Sequence, residues 1–423
     1  MSSSPRLISG HLMLPAPGGR VRLAPGTLTI VDGRVDSVAE GEPHGSPDLG
    51  GEGSLVVPGF VDAHMHLPQF DSIGIDGLTL LEWLDRAIFP AECAWADADL
   101  AGEMTTRVAR SLLSFGTTAI CAYASVHVSA TLASMIALAE SGIRAMVGQV
   151  LMDRNAPPEL CVPAPKLLKQ ALATTEWARG RVLAHGDRWR VEHSINPRFA
   201  ISCTPELLAG SGELVRRLGA PMQTHLSESR AECEMISRLF GGRSYTGVYE
   251  DAGLLGPRSI FAHSVWLDDG EASMLAATRS LVAHCPTANA FLQSGDCRVS
   301  WLRRLGVPVV LGSDIAGGPD RSMVRVARAM IETAKRVRLS TGSGEVPTPA
   351  EAWWSITGGN ADALGWHSTS RLAPGAEADV VIVRPDIPWQ GTPDPLGTLL
   401  YAWDDRWMRS VVVRGLDACE RQP

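Results

Sequence analysis

Continuous apolar runs recur through the middle of the chain, each bounded by turn residues. They lie at Val56–Asp62, Thr117–Ala124, Ala145–Met152, Arg190–Ile195, Pro221–His225, Ser259–His263, Leu281–His284 and Val307–Leu311. Unbroken rather than alternating hydrophobicity is the mark of strands buried on both faces, as in a parallel sheet. Helix-period patterns fill the gaps, for example at Ala98–Ser114, Leu132–Ser141, Ala231–Phe240 and Met323–Arg338. Eight strand-then-helix units predict an α/β architecture, a distorted (β/α)8 TIM-like barrel.

The two ends of the chain read differently. Short strands with turns between them are predicted at Arg6–Leu14, Thr27–Val31 and Arg34–Ala39, with Asp32-Gly33 as a hairpin signal. Glu42–Gly53 is rich in Gly, Pro and Glu and reads as a loop. Ala378–Arg384 and Met408–Arg414 repeat the strand character, punctuated by Gly375 and Gly415. We therefore expect one small composite β-sandwich domain built from segments 1–57 and 371–423, flanking a barrel at 58–370.

Length and composition agree with that picture. A chain of 423 residues exceeds one ordinary core, and 45% hydrophobic with 20% charged residues is ordinary for a soluble globular protein. The net charge of −8 comes without a basic stripe, which argues against nucleic acid or an anionic membrane as partner. No apolar run approaches the length of a membrane span. The eight cysteines include no C-x-x-C pair and read as free thiols. The first residues lead into no signal-type apolar core, so a reducing cytoplasm is expected.

Chemistry enters at the strand ends. His66, Ser125, Asp153, Arg198, His225, His263, Asn289 and Asp314 stand at or just beyond the eight runs. In a barrel of this kind the active site is built from the C-terminal strand ends. His64 and His66 are two residues apart in an extended run, so both imidazoles point the same way. A zinc-like ion takes three or four N, O or S ligands, and His225 and Asp314 supply the other two. Three imidazoles and one carboxylate leave a charge of +1 around Zn2+ and one position for water. Such an ion lowers the pKa of water towards about 7. Glu228, three residues after His225, is placed to move protons beside that water. His263 is expected to hydrogen-bond the water rather than bind the metal, four ligands already sufficing. Read singly, each feature has an ordinary alternative. H-x-H pairs are more often structural, Glu228 suits a helix N-terminus, and Arg198 suits a surface ion pair. His284 reads as a packing or supporting residue and His127 as pocket lining or structural, while His44, His185 and His193 look inert.

These residues carry a resemblance. Pro58-Gly-Phe-Val-Asp-Ala-His-Met-His-Leu-Pro-Gln69 resembles the PG-[FL]-VD-x-H-x-H-x-x-Q segment of the amidohydrolase superfamily, in its metal-dependent purine and triazine deaminase branch. Leu81-Glu-Trp-Leu84, Phe89-Pro-Ala-Glu92, Val150–Pro157, Asn196-Pro-Arg-Phe-Ala200, His225-Leu-Ser-Glu228, Ala283-His-Cys-Pro286 and Gly312–Gly318 are similar to it as well. H-x-H, H-x-x-E and the final Asp mark the superfamily broadly. Gln69 and Pro-Arg-Phe are narrower and resemble the guanine deaminases of that branch. The chain departs from the pattern at Asn196, where threonine is usual, at Ser264-Val-Trp-Leu267 and at Pro319-Asp-Arg-Ser-Met323.

The resemblance implies one Zn2+ per subunit, with Fe2+ an alternative occupant, a homodimer, and hydrolysis of guanine to xanthine and ammonia. By position His64, His66, His225 and Asp314 would bind the metal. Glu228, His263 and Asp314 would be catalytic. His66, Gln69, Arg198, Phe199 and Glu228 would contact a small purine. The nucleic-acid-editing deaminases use H-x-E with P-C-x-x-C, which this chain lacks. Three rival readings stand beside this one. They are a deaminase of 8-oxoguanine, a pterin or another aminated heterocycle, a triazine hydrolase, and a catalytically inactive scaffolding relative.

Overall fold

A computed structural model describes residues 5–42 and 46–420. His44 lies outside the described residues. Eight parallel strands form the central barrel: β5 (Phe60–His66), β6 (Thr117–Tyr123), β7 (Arg144–Leu151), β8 (Val191–Pro197), β9 (Met222–Leu226), β10 (Ser259–His263), β11 (Leu281–His284) and β12 (Val309–Leu311). They neighbour one another in strict sequence order. Helices such as Ala98–Ser114, Ala164–His185 and Met323–Thr341 join them and cover the outside. The strands are buried along almost their whole length, the reason their sequences read as unbroken apolar runs.

The second sheet has seven strands in the order β15-β14-β13-β4-β1-β2-β3. These are β1 (Arg6–Ala16), β2 (Arg20–Val31), β3 (Arg34–Glu40), β4 (Leu49–Pro58), β13 (Val380–Val383), β14 (Met408–Val413) and β15 (Leu416–Glu420). The N-terminal strand β4 pairs antiparallel with the C-terminal strand β13, Val57 opposite Val381, so one sheet is built from both termini. The turn between β2 and β3 is Asp32-Gly33, both at positive φ (48° and 77°), as the Asp-Gly signal requires.

Two details differ from the sequence reading. The run 56–62 is not one strand. Val56–Pro58 belongs to β4 and Phe60 begins β5, with Gly59 at the crossing. A Cβ on Gly59 would stand 2.1 Å from the Thr118 hydroxyl, so only glycine passes there. Leu49–Gly53, read as loop, opens β4 instead, Leu49 pairing with Ile8 and Gly50 with Ser9. Strand β1 supplies that pairing, and composition carries no trace of it.

The seam between β5 and β12 decides where the strand ends meet. Asn360, on the helix Gly358–Ala363, donates to the carbonyls of Val61 (2.9 Å) and Leu311 (2.8 Å) and accepts from Leu311 N (2.9 Å). Beyond it, Asp314 N donates to His64 O and His66 N to Ile315 O, each at 2.8 Å. At the opposite end of the barrel, Arg190 pairs with Glu377 (2.7 Å) and Asp379 (2.5 Å), pinning the base of β8 to the C-terminal sheet segment. Replacing Asn360 with Ala strips three buried backbone groups of their partner. It is expected to lower stability by about 2–4 kcal/mol, read as a fall in the urea midpoint; an unchanged midpoint would show that the seam closes without it.

Candidate functional site

The polar groups meet because β5, β8, β9, β10 and β12 end in side chains that converge at one mouth of the barrel. From β5 come His64 and His66, from β9 His225, and from the turn after β12 Asp314. Their ligand atoms all lie within 4.8 Å of one another. His66 Nε2 is 3.1 Å from His225 Nε2, and both His64 Nε2 and His66 Nε2 are 3.3 Å from Asp314 Oδ1. Donors on a tetrahedron with metal bonds of 2.0–2.1 Å stand about 3.3 Å apart, so the spacing is that of a metal shell. Neither ring nitrogen of His64 has a hydrogen-bond partner although the residue is fully buried, which suits a ligand rather than a structural histidine. His225 Nδ1 donates to the Arg198 carbonyl at 2.6 Å, leaving the Nε2 lone pair free to face the cluster.

Electrostatics point the same way. Burial pulls the His66 pKa down to about 4. Burial and then the neighbouring histidines put His225 well below its usual range. Both imidazoles are thereby neutral, the form that binds metal. Burial works against the Asp314 carboxylate, yet the adjoining His64 and His66 hold it well below its ordinary value.

His263 and Glu228 sit beside this cluster. His263 Nε2 is 3.4 Å from Glu228 Oε2 and 3.9 Å from Asp314 Oδ2, and its Nδ1 is fixed by Asn289 Oδ1 at 2.9 Å. Ser294 Oγ donates to Glu228 Oε1 at 2.9 Å. Burial first, then the Asp314 charge, push the Glu228 carboxyl up to about 8. A carboxyl at that value exchanges a proton readily near neutral pH. His263 and Asp314 hold φ of +70° and +51°, a strained conformation for non-glycine residues that re-aims each side chain where its strand ends.

Above the cluster opens a cleft lined by His66, Gln69, Arg198, Phe199, His225, Glu228, His263 and Asp314 together with Leu80, Trp83, Leu84, Glu232 and Leu292. Of the eight strand-end residues, His66, Arg198, His225, His263 and Asp314 line it, and His64 lies just beneath; Ser125, Asp153 and Asn289 do not, Asp153 accepting instead from Thr204 and Asn289 fixing His263. His127 does not. It precedes the helix Val128–Ser141, outside the cleft lining.

Several supporting residues escaped the sequence reading. Glu92 accepts from Gln69 Nε2 (3.2 Å) and from Arg198 Nη1 (2.6 Å to Oε2), so one buried carboxylate ties the two donors together. Asp62 accepts from the backbone of His64 (3.2 Å) and Ser313 (2.9 Å) and from Ser313 Oγ (2.5 Å), stapling the H-x-H strand to the Asp314 turn. Glu232 accepts from Glu228 N (2.9 Å) and from Tyr245 OH (2.7 Å). Asp62 carried one usable signal: a charge inside an otherwise buried apolar run needs a partner. Glu92 stands in the Phe89-Pro-Ala-Glu92 segment that carries part of the resemblance, a signal from which no role was drawn, while Glu232 lies in a helical stretch where a carboxylate looks like ordinary surface.

A barrel whose strand ends gather three imidazoles and a carboxylate, with a buried glutamate beside them, defines a metal-dependent hydrolase. Residues 55–416 match the model of the Amidohydrolase family, and the chain belongs to that family. It is 32% identical to guanine deaminase of Dictyostelium discoideum over 381 residues, 87% of this chain and 83% of that protein. It is 34% identical to guanine deaminase of Escherichia coli over 389 residues, 89% and 83% of the two chains. Its fold matches the guanine-bound crystal structure of guanine deaminase from C. acetobutylicum with a TM-score of 0.90 and 27% identity, covering 98% of this chain and all of that one.

Glu92 gives this region a clear prediction. Glu92→Ala leaves the buried Arg198 guanidinium without its counter-charge and should cost about 3–5 kcal/mol, seen as a lowered thermal midpoint with metal content unchanged. A midpoint matching wild type would mean that Arg198 finds another partner at no cost.

Proposed function

We propose that the protein hydrolyses guanine to xanthine and ammonia, with His64, His66, His225 and Asp314 holding a zinc ion. The observation that carries this reading is the single cleft in which a metal-shaped donor set meets Glu228 on one side and the Gln69–Glu92–Arg198 cluster on another. The likeness to guanine deaminases over most of the chain supports the choice of base. N/O sites also accept Fe2+, and availability selects between the two.

A divalent ion held there supplies an activated water near neutral pH. The protein's own residues do the rest. Arg198 and Gln69 donate to carbonyl and ring-nitrogen acceptors of the base, and Phe199 covers its flat face. Glu228 takes a proton from the attacking water and delivers it to ring N3, making C2 electrophilic as the new C–O bond forms. Asp314 faces the same water and is the second proton acceptor. His263, its ring fixed by Asn289, faces the oxygen that gains charge at C2 and stabilises it. The remaining proton of the hydroxyl added at C2 passes by way of Asp314 to the exocyclic amine, the C–N bond breaks as the C2 carbonyl forms, and ammonia leaves.

The cytoplasm as compartment and a homodimer as assembly complete the reading. Seven unpaired cysteines among the described residues support a reducing compartment. No helix among the described residues is long and apolar enough to cross a membrane.

Ammonia release from guanine, 8-oxoguanine, a pterin, an aminotriazine, cytosine and adenine, run with measured metal content, tests the function. Guanine should be preferred; fully metallated protein that leaves guanine untouched overturns the proposal. Glu228→Gln is expected to keep fold and metal while kcat falls about 10²–10⁴-fold, and an unchanged kcat removes Glu228 from the reaction. His64→Ala should lose bound metal together with activity, so full metal occupancy in that variant contradicts the ligand set.

A further inference from the structure

Trp83 is the cleft residue to which the reaction assigns no task. It closes the short helix Leu80–Trp83, whose cap is a reciprocal pair between Thr79 and Glu82. The chain continues as a wider π-type turn over Leu84–Ile88, a form that recurs at functional sites. Leu80, Trp83 and Leu84 fall on one face, and all three line the cleft, while Leu81, Glu82, Asp85 and Arg86 face solvent. Spacing of three and four residues puts this face over the site.

The indole of Trp83 is 2% exposed and its Nε1–H has no hydrogen-bond partner among the described residues. Indole nitrogen is a donor only. Leaving such a donor buried and unpaired costs about 1–3 kcal/mol, and other buried indoles of this chain avoid the cost. Trp353 Nε1 donates to Leu396 O at 3.1 Å, Trp403 Nε1 to Asp405 Oδ1 at 2.8 Å, and Trp407 Nε1 to Asp386 Oδ1 at 2.6 Å. Within the cleft lining, Trp83 Nε1 and the Nδ1 of His66 are the unpaired buried side-chain polar atoms. His66 belongs to the metal cluster, so Trp83 stands out as the donor lacking an acceptor. The neighbouring lining residues Leu80, Leu84, Phe199 and Leu292 bring no side-chain acceptor. A flat heterocycle with its amine-bearing carbon at the metal cluster directs its carbonyl oxygen and imidazole nitrogen away from that cluster, and both are acceptors.

We infer that Trp83 is a specificity-determining residue whose indole N–H donates to an acceptor, carbonyl oxygen or ring nitrogen, on the edge of the substrate base remote from the reacting carbon. This rests on the guanine reading above. It makes Trp83 a reader of the base's hydrogen-bonding pattern. A site built to hydrogen-bond a substrate group rejects analogues lacking that group more strongly than apolar packing can.

The test compares wild type and Trp83→Phe on guanine, 7-deazaguanine (ring nitrogen replaced by CH) and 2-aminopurine (no carbonyl oxygen). Metal content is measured throughout. In Trp83→Phe, kcat/KM on guanine should fall about tenfold, mainly through KM. The preference for guanine over at least one of the two analogues should narrow by about the same factor. General loosening of the site lowers all three rates together and leaves those ratios alone. Replacing Trp83 by its benzothiophene isostere, equal in shape but without the N–H, reads the same ratios should the phenylalanine variant fold poorly. Wild type active on guanine with both ratios preserved in the variants overturns the role of Trp83 alone. Wild type inactive on guanine overturns the functional reading, and the Trp83 inference with it.

Discussion

The site depends on how β5 is stitched to the turn after β12. The Asp62 carboxylate takes hydrogen bonds from the backbone of His64 and from both the backbone and hydroxyl of Ser313, and Asn360 bridges Val61 to Leu311. Together they hold the first and last strands in one register. Without that register the two histidines of β5 and the carboxylate of Asp314 would be remote points of the chain. With it their nitrogens lie 3.3 Å from the carboxylate oxygen. Burial raises the Asp62 carboxyl to about 6 despite these bonds. The strap is polar, water-excluded and fully engaged, which favours a single arrangement.

From this seam the chemistry follows by environment. Three buried imidazoles crowd one another and His66 and His225 stay neutral, while Asp314 keeps its charge among them. Glu228 lies a few ångströms away, yet burial and the charge of Asp314 move it in the opposite direction. Two carboxylates in one cleft are thus driven apart, one suited to hold a cation and the other to carry a proton. The wall of the cleft that carries Gln69 and Arg198 depends on a third carboxylate, Glu92, which gathers the two from different elements into one cluster. That gathering costs the desolvation of an ion pair and returns an oriented set of donors.

The composite sheet bears on the same arrangement from the other side of the barrel. Strand β4 passes through Gly59 directly into β5, and Arg190 ties the base of β8 to Glu377 and Asp379. The site is therefore mounted on a barrel that the composite sheet holds at the start of β5 and at the base of β8.

Much of this was legible in the chain itself. Unbroken apolar runs reveal buried parallel strands because both faces of such strands are covered, and period-two spacing puts His64 and His66 on one side whatever surrounds them. The strand-end positions of His225, His263 and Asp314 follow from the same runs. Three-dimensional packing decided what local pattern does not encode. The break at Gly59 follows from a steric approach by Thr118, and the pairing of Leu49–Gly53 was imposed by a distant strand. The work of Asp62, Glu92, Glu232 and Asn360 exists only through partners brought near by folding. Sequence fixes which groups a chain carries and which way neighbours point, since both are local. Which remote groups meet, and which are left without a partner, is settled only when the barrel closes.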